Sequence, residues 1–551
     1  MGDLFKRLRQ NPFEVFLFVG LFVFSGFLMF KTFQHPGGNL RIAAKAWSDF
    51  AATIPLVRSF SLGANFPPEY PIFPGFPIKY HFVFFFLVGI LEKLGIPLDW
   101  ALNSLSTLSF FALTVAIYFL AKEVFKKRVV ALLSVVLFLF NGSWSFVEFF
   151  KSHPLGANTL RDIVTNVEFS SFGPYDGKVV SAFWNLNIFT NQRHLGIAYA
   201  AFLILVLIIY QSSRNPKNLT VFKSFLLGIA IGIFPFIHSA VFGMAGIALL
   251  VFFLIYPSLR LKIFIMGAVA LTLAIPQILY MGPSQVEFSY FHPGYLVLNP
   301  TLKNFANYWV LNLGLTALLA PLGFLFSDKT QRKLFVPFVM LFVIGNLFQF
   351  TPDMPTNHKF FNLFLIGANF FTADLLVRMW ERGFPFKLVV SIFILFLTLS
   401  GVIDFFSIAN DRYVEILDIP VNPAAMFVLE KTPTDSIILP SSFLYDPASL
   451  AGRKIYLGWP YFSWGAGYDT TARAGLMQRM LTPKDPATFC SLIAKENIDF
   501  VEIQRPTLLP DTVVDYSFFE DNLHRVYFDP TTNFSIYDPV PFCSKLRDKF
   551  Y

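Results

Sequence analysis

The chain has 551 residues, 55% of them hydrophobic and 14% charged, with a mean hydropathy of +0.57. No soluble globular protein of this length needs so much apolar surface, so the expected fold class is a polytopic α-helical membrane protein. The net charge of +8 falls in short Lys and Arg clusters between apolar runs, which is a topology signal and argues against nucleic acid as a partner.

In chain order, Lys6, Arg7 and Arg9 precede an apolar run over 13–31. The run begins like a signal sequence, yet no small-residue cleavage site follows before "KTFQHPGG", and it is predicted as a retained helix. A membrane crossing needs ~20 apolar residues. Runs at 98–121, 129–147, 195–211, 262–281, 307–326, 333–350, 360–378 and 387–405 are further candidates. The run 222–256 is too long for one crossing and is divided near His238 in "FPFIHSAVFG", giving about eleven spanning helices.

The apolar stretch "YHFVFFFLVGILEKLG", 80–95, sits at the short end, and charge decides its place. If it lies in the interface, Lys122, Lys126, Lys127 and Arg128 join the N-terminus inside. The later clusters then agree: Arg214 with Lys217, Arg260 with Lys262, Lys329 with Arg332 and Lys333, and Arg378 with Arg382 and Lys387 all become cytoplasmic. The expected protein is a multi-pass protein of the plasma or inner membrane, with a cytoplasmic N-terminus. Its transmembrane domain covers 1–405, with interfacial helices in the first outer loop, and an extracytoplasmic α/β domain covers 406–551. Four substantial pieces (32–97, 148–194, 282–306 and the C-terminal region) fall on the outer face, where long loops on a rigid scaffold carry chemistry.

In the C-terminal region "SIIL", "KIYLG", "FVEIQ", "HRVYF" and "FSIYD" read as strands, and "DPATFCSLIAKEN" as a helix with an acidic cap. At ~140 residues the region is large enough to hold its own core. Its two cysteines, Cys490 and Cys543, exclude a thiolate metal cluster. Spacing alone leaves a disulfide and two unpaired thiols both open.

The first wet stretch, "RIAAKAWSDFAATIPLVRSF", carries Asp49. A helix through 40–54 would be amphipathic, with Arg41, Lys45 and Asp49 at i, i+4 and i+8, able to lie flat on the outer leaflet. Lys45 and Asp49 then form either a modest i,i+4 pair on a wet face or part of a site. Basic and imidazole groups recur at outer helix ends: Arg193 and His194 in "NQRHLG", His238 in "FPFIHS", His358 and Lys359 in "PTNHKFFN". Donors from three elements at one depth suit a phosphate at the membrane surface, although each residue alone could be a headgroup anchor.

A zinc site from His194, His238 and His358 has no spacing in its favour. Asp162, Glu168 and Asp176 in the 148–194 loop, and Glu69 in "FPPEYP", suit sugar hydroxyls or plain solvation. There is no phosphate-binding Gly loop, nucleophile elbow or HExxH motif. Aromatic rings with Arg453 in "AGRKIYLGWPYFSWGAGYD" suit either acceptor stacking or core packing.

The order of an inside N-terminus, one helix, a long outer loop with an aspartate, and the Pro-rich "FPGFPIKYHFVFFFLVGILEKLGI" before the second helix resembles the type C glycosyltransferase superfamily. "SLAGRKIYLGWPYFSWGAGYD", "RAGLMQRML" and "LIAKENIDFVEI" look like the outer domain of multi-pass proteins of that superfamily. The resemblance implies a membrane enzyme that moves a sugar from a polyprenyl-phosphate donor to a glycan, lipid or protein acceptor outside. It places Asp49 as general base and Arg193, His194, His358 and Lys359 on the leaving phosphate. The superfamily often keeps two adjacent acids in the first loop, whereas here Asp49 stands alone.

No metal or other cofactor is predicted; a metal-dependent member would need Asp162 or Asp176 beside Asp49. Rival readings are an oligosaccharide or lipid-linked polymer transferase, a transporter, and a non-catalytic assembly protein of cell-surface glycans. Helix interiors almost free of ionisable residues count against transport.

Overall fold

The computed structural model describes residues 12–172 and 176–550, the side chains of 547–550 excepted. Lys6, Arg7 and Arg9 lie outside the described residues.

A helix stands at each of the eleven predicted places, but they are not eleven full crossings. Among the described residues seven are long and apolar enough to span: Pro12–Thr32, Leu98–Phe125, Leu195–Arg214, Phe234–Ile255, Pro257–Met281, Met354–Trp380 and Phe384–Ala409. The pair Leu302–Leu313 and Thr316–Phe326, bent by 88°, makes an eighth if counted as one broken span. Arg128–Leu139 and Val221–Gly232 have 12 residues each. At ~1.5 Å per residue they reach about 18 Å, short of a hydrocarbon layer of ~30 Å. Lys329–Leu347, 19 residues long, holds the remaining place, so by length and composition seven or eight of the eleven qualify as full spans among the described residues. The reason is local: Asn141 and Gly142 end one apolar run early, and Gly314, at φ +57°, breaks another.

The division near His238 falls at two points. The chain leaves the helix between Gly232 and Phe234, and again at His238, whose backbone is extended within Phe234–Ile255. The stretch 80–95 forms the helix Val83–Lys93, 11 residues and too short to cross. It lies against Trp47–Ser61 so closely that a Cβ on Gly89 would meet the Val57 carbonyl at 2.8 Å.

The helix expected over 40–54 begins only at Trp47. Asn39–Ala43 is a strand between Phe33–Gln34 and Tyr413–Leu417, antiparallel to both. Leu40 and Ile42 alternate with Asn39 and Arg41, a period of two that the pairing partner makes decisive. Lys45 accordingly pairs with Asp411 at 3.1 Å and not with Asp49.

All five predicted C-terminal strands form one sheet, in the order Lys454–Ile455, Ile437–Leu439, Phe500–Gln504, Phe534–Asp538, His524–Asp529. The first three are parallel and the last two run antiparallel to their neighbours. The predicted helix is Pro486–Lys495, capped by the Asp485 side chain, which accepts from the Thr488 N–H. Cys490 and Cys543 form a disulfide that ties this helix to the last one, Val540–Phe550.

The C-terminal region shares its core with the first loop. Phe50, Ile54, Val57, Tyr70 and Phe85 pack in one apolar cluster with Ile438, Tyr456, Val501 and Ile536. A buried polar knot reinforces the join: Arg58 reaches Asp418 at 2.8 Å and Glu92 at 3.0 Å, and His35 reaches Asp418 at 3.1 Å. The strand and helices of the first loop are too few to enclose a core alone, so the C-terminal region covers them. This clamps the loop that bears Asp49.

Candidate functional site

A cavity of about 610 Å³ opens where the first loop, the C-terminal region and the ends of several long helices meet. Asp49 enters it from the first turn of Trp47–Ser61, whose start is held by the Tyr445 hydroxyl donating to the Trp47 carbonyl. Lys359 enters from the first turn of His358–Trp380, and its backbone carbonyl accepts from the Tyr199 hydroxyl at 2.7 Å. His194, at the start of Leu195–Arg214, His238 and His358 also line the wall. Five of the predicted site residues therefore share one cavity.

Three do not. Arg193 is buried beneath the wall: it donates to the Thr190 carbonyl at 2.8 Å, Asn103 at 2.7 Å and Thr32 at 2.5 Å, and lies over the Phe50 ring. It braces the helix that carries Asp49 and offers no free donor to a phosphate. Glu69 is held by Lys454 at 2.7 Å. Arg453, 1% exposed, spends its guanidinium on Thr432 and on the carbonyls of Leu62, Ala451 and Leu429. It fastens the first loop to the C-terminal region and stacks on no acceptor. Asp162, Glu168 and Asp176 do not line the cavity either, and Asp176 pairs with Lys178.

The electrostatics separate the groups. Burial pushes the Asp49 carboxyl up to about 6, against the pull of Lys359 and a hydrogen bond from Asn191. Asp353, beside Lys359, is also raised by burial, partly offset by a hydrogen bond from Tyr461. His194 is driven down to about 3 by burial and then by Lys359, so it is a neutral imidazole. Burial brings Arg193 down to about 9.

The sequence reading missed His81, Lys79, Asn191 and Asp353, all of which line the cavity. "IKYHF" held the available signal, a Lys and a His together where a polar loop enters an apolar stretch. The structure groups His81, and not His358, with His194 and His238: the ring centroids of His81 lie 4.3 Å from those of His194 and 4.4 Å from those of His238. Apolar and aromatic side chains, among them Phe183, Ile278, Met281, Phe288 and Phe350, line the rest of the wall. One cavity thus offers a base, a cation, imidazoles and an oily flank.

No protein-family model matches the chain, and no curated protein matches it in sequence. Solved structures do match it in fold. ArnT from Cupriavidus metallidurans in the apo state superposes with a TM-score of 0.51 at 10% identity, over 96% of this chain and 98% of that one. The same ArnT bound to undecaprenyl phosphate gives 0.49 at 11% identity, over 97% and 99%. The arabinofuranosyltransferase AftD from Mycobacteria gives 0.52 at 13% identity, over 95% of this chain and 40% of that larger one. Both proteins are type C glycosyltransferases, and the fold of this chain is the type C membrane glycosyltransferase fold.

Proposed function

We propose that the protein is a membrane glycosyltransferase that moves a sugar from a polyprenyl-phosphate donor to an acceptor on the extracytoplasmic face of the cell membrane. The observation that carries this reading is the meeting of Asp49 and Lys359 in one half-apolar cavity. Its volume of about 610 Å³ is that of a ligand site. A lipid phosphate needs a cation for its head and an oily wall for its first isoprene units, and the cavity provides both.

In the reaction Asp49 accepts the proton of the acceptor hydroxyl as its oxygen bonds to the anomeric carbon. The bond from that carbon to the phosphate oxygen breaks, and its electron pair leaves with the lipid phosphate. A carboxyl raised to about 6 is still mostly ionised at neutral pH and is a stronger base than an ordinary aspartate. Lys359, with His358 beside it, meets the charge developing on the phosphate. The disulfide Cys490–Cys543 supports an extracytoplasmic C-terminal region, because such bonds persist in oxidising compartments. The Lys and Arg clusters between the apolar runs support a cytoplasmic N-terminus.

The test is transfer of radiolabelled sugar from undecaprenyl-phosphate sugars by membranes containing the parent or Asp49→Asn. The variant is expected to lose about 10²- to 10⁴-fold in turnover while folding normally and still binding undecaprenyl phosphate. Lys359→Met is expected to weaken that binding. Parental turnover in Asp49→Asn removes the base and the reading with it.

A further inference from the structure

Three imidazoles of the cavity wall have no task in that transfer, and they are arranged as ligands are. His81 comes from the turn before Val83–Lys93, His194 from the start of Leu195–Arg214, and His238 from the point where its helix is interrupted. One nitrogen of each lies within 4.8 Å of the other two, and the Nε2 atoms of His81 and His194 are 2.5 Å apart. The three residues are 7%, 2% and 0% exposed. Buried ring nitrogens normally find a partner. Here Nδ1 of His194 and Nε2 of His238 have no hydrogen-bond partner.

We infer that His81, His194 and His238 form a site for a divalent first-row transition ion, best suited to Zn²⁺, with its fourth position open to the cavity. Ligand nitrogens at ~2.1 Å in a tetrahedral array stand about 3.4 Å apart. That separation falls inside the range these atoms already span, so shifts of about 1 Å complete the shell. Three imidazole nitrogens with no carboxylate select against Mg²⁺ and Ca²⁺, which seek oxygen.

A closed structural zinc site has four protein ligands; three with an open position is the pattern of a site that binds a further group. All three histidines line the cavity that Lys359 also enters, so the further group is an anionic oxygen. Coordination through Nε2 of His238 moves its proton to Nδ1 and gives up the long contact from the Val241 N–H, at 3.4 Å. The site does not rest on the sugar-transfer reading: a protein that moved no sugar would still bind the ion.

The full-length protein in detergent, stripped with EDTA and dialysed, is titrated with Co²⁺. One saturable equivalent with the intense ligand-field absorption of a four-coordinate ion is expected, displaced by Zn²⁺. His81→Gln, His194→Gln and His238→Gln are each expected to weaken uptake by more than about a hundredfold, beyond what loss of an outer partner costs. His358→Gln should leave uptake unchanged. His194→Cys keeps a ligand and should add a thiolate-to-cobalt charge-transfer band, a readout that stands even where the Gln variants fail to fold. The inference is overturned by a parent that takes up no saturable Co²⁺, by uptake that survives the three Gln variants, or by a Cys variant that binds Co²⁺ without the new band.

Discussion

Asp49→Asn is expected to make the protein more stable at neutral pH as it removes the proposed base. The carboxyl titrates at 3.8 when unperturbed and at about 6 in the folded cavity, where burial disfavours its charged form. A shift of about two units, at ~1.36 kcal/mol each, is a penalty of about 3 kcal/mol. Residual contact with water in the cavity lowers it to about 2–3 kcal/mol. The sign follows from linkage: between the two values the unfolded chain has lost the proton that the folded one keeps. The penalty is absent below about 3.8 and complete above about 6. An amide carries no charge and escapes it. The first loop and the C-terminal region share a core, and a unit of that size shifts its midpoint by ~2–4 °C per kcal/mol, so the variant should melt roughly 4–12 °C higher at about pH 7.5. The assay is thermal unfolding of detergent-solubilised protein followed by Trp fluorescence, at about pH 7.5 and about pH 4. Equal midpoints at the higher pH, or the same gain at the lower, would refute the claim that a buried charge is held there against its own solvation.

Two further outcomes test the frame that holds this residue. Arg58→Met leaves Asp418 and Glu92 buried without their shared cation and should cost about 3–5 kcal/mol. Asp418→Asn keeps the Arg58–Glu92 pair and should cost about 1–3 kcal/mol; the reverse order in the same melt would show that charge balance does not govern the knot. Replacing Cys490 and Cys543 together by Ser releases a 53-residue loop, which should cost about 2–4 kcal/mol and expose the last helix to limited proteolysis. An unchanged cleavage rate there would mean the disulfide constrains nothing.

The long helices were legible because lipid permits only internally bonded backbone, so composition and length nearly suffice. The C-terminal strands were legible because alternation in "FSIYD" and "FVEIQ" is a local signal. Asn39–Ala43 was not, since its decisive partner, Tyr413–Leu417, lies at least 370 positions away, and Arg41, Lys45 and Asp49 mimic a helix face meanwhile. The site divides on the same line. Arg193 and Lys359 are both cations at the mouths of helices, yet one turns inward to Thr32 and Asn103 and the other reaches the cavity. Nothing within a turn of either residue distinguishes them; the positions of Pro12–Thr32 and Leu98–Phe125 do. His81 was hidden for a related reason, because its neighbours His194 and His238 belong to helices that meet it only after the bundle has closed. Asp49 itself is aimed by Tyr445, close to 400 residues downstream, and by a core to which both ends of the chain contribute. The residue types of this cavity are local facts of the sequence, whereas their convergence is a property of long-range packing, and that convergence is what makes them a site.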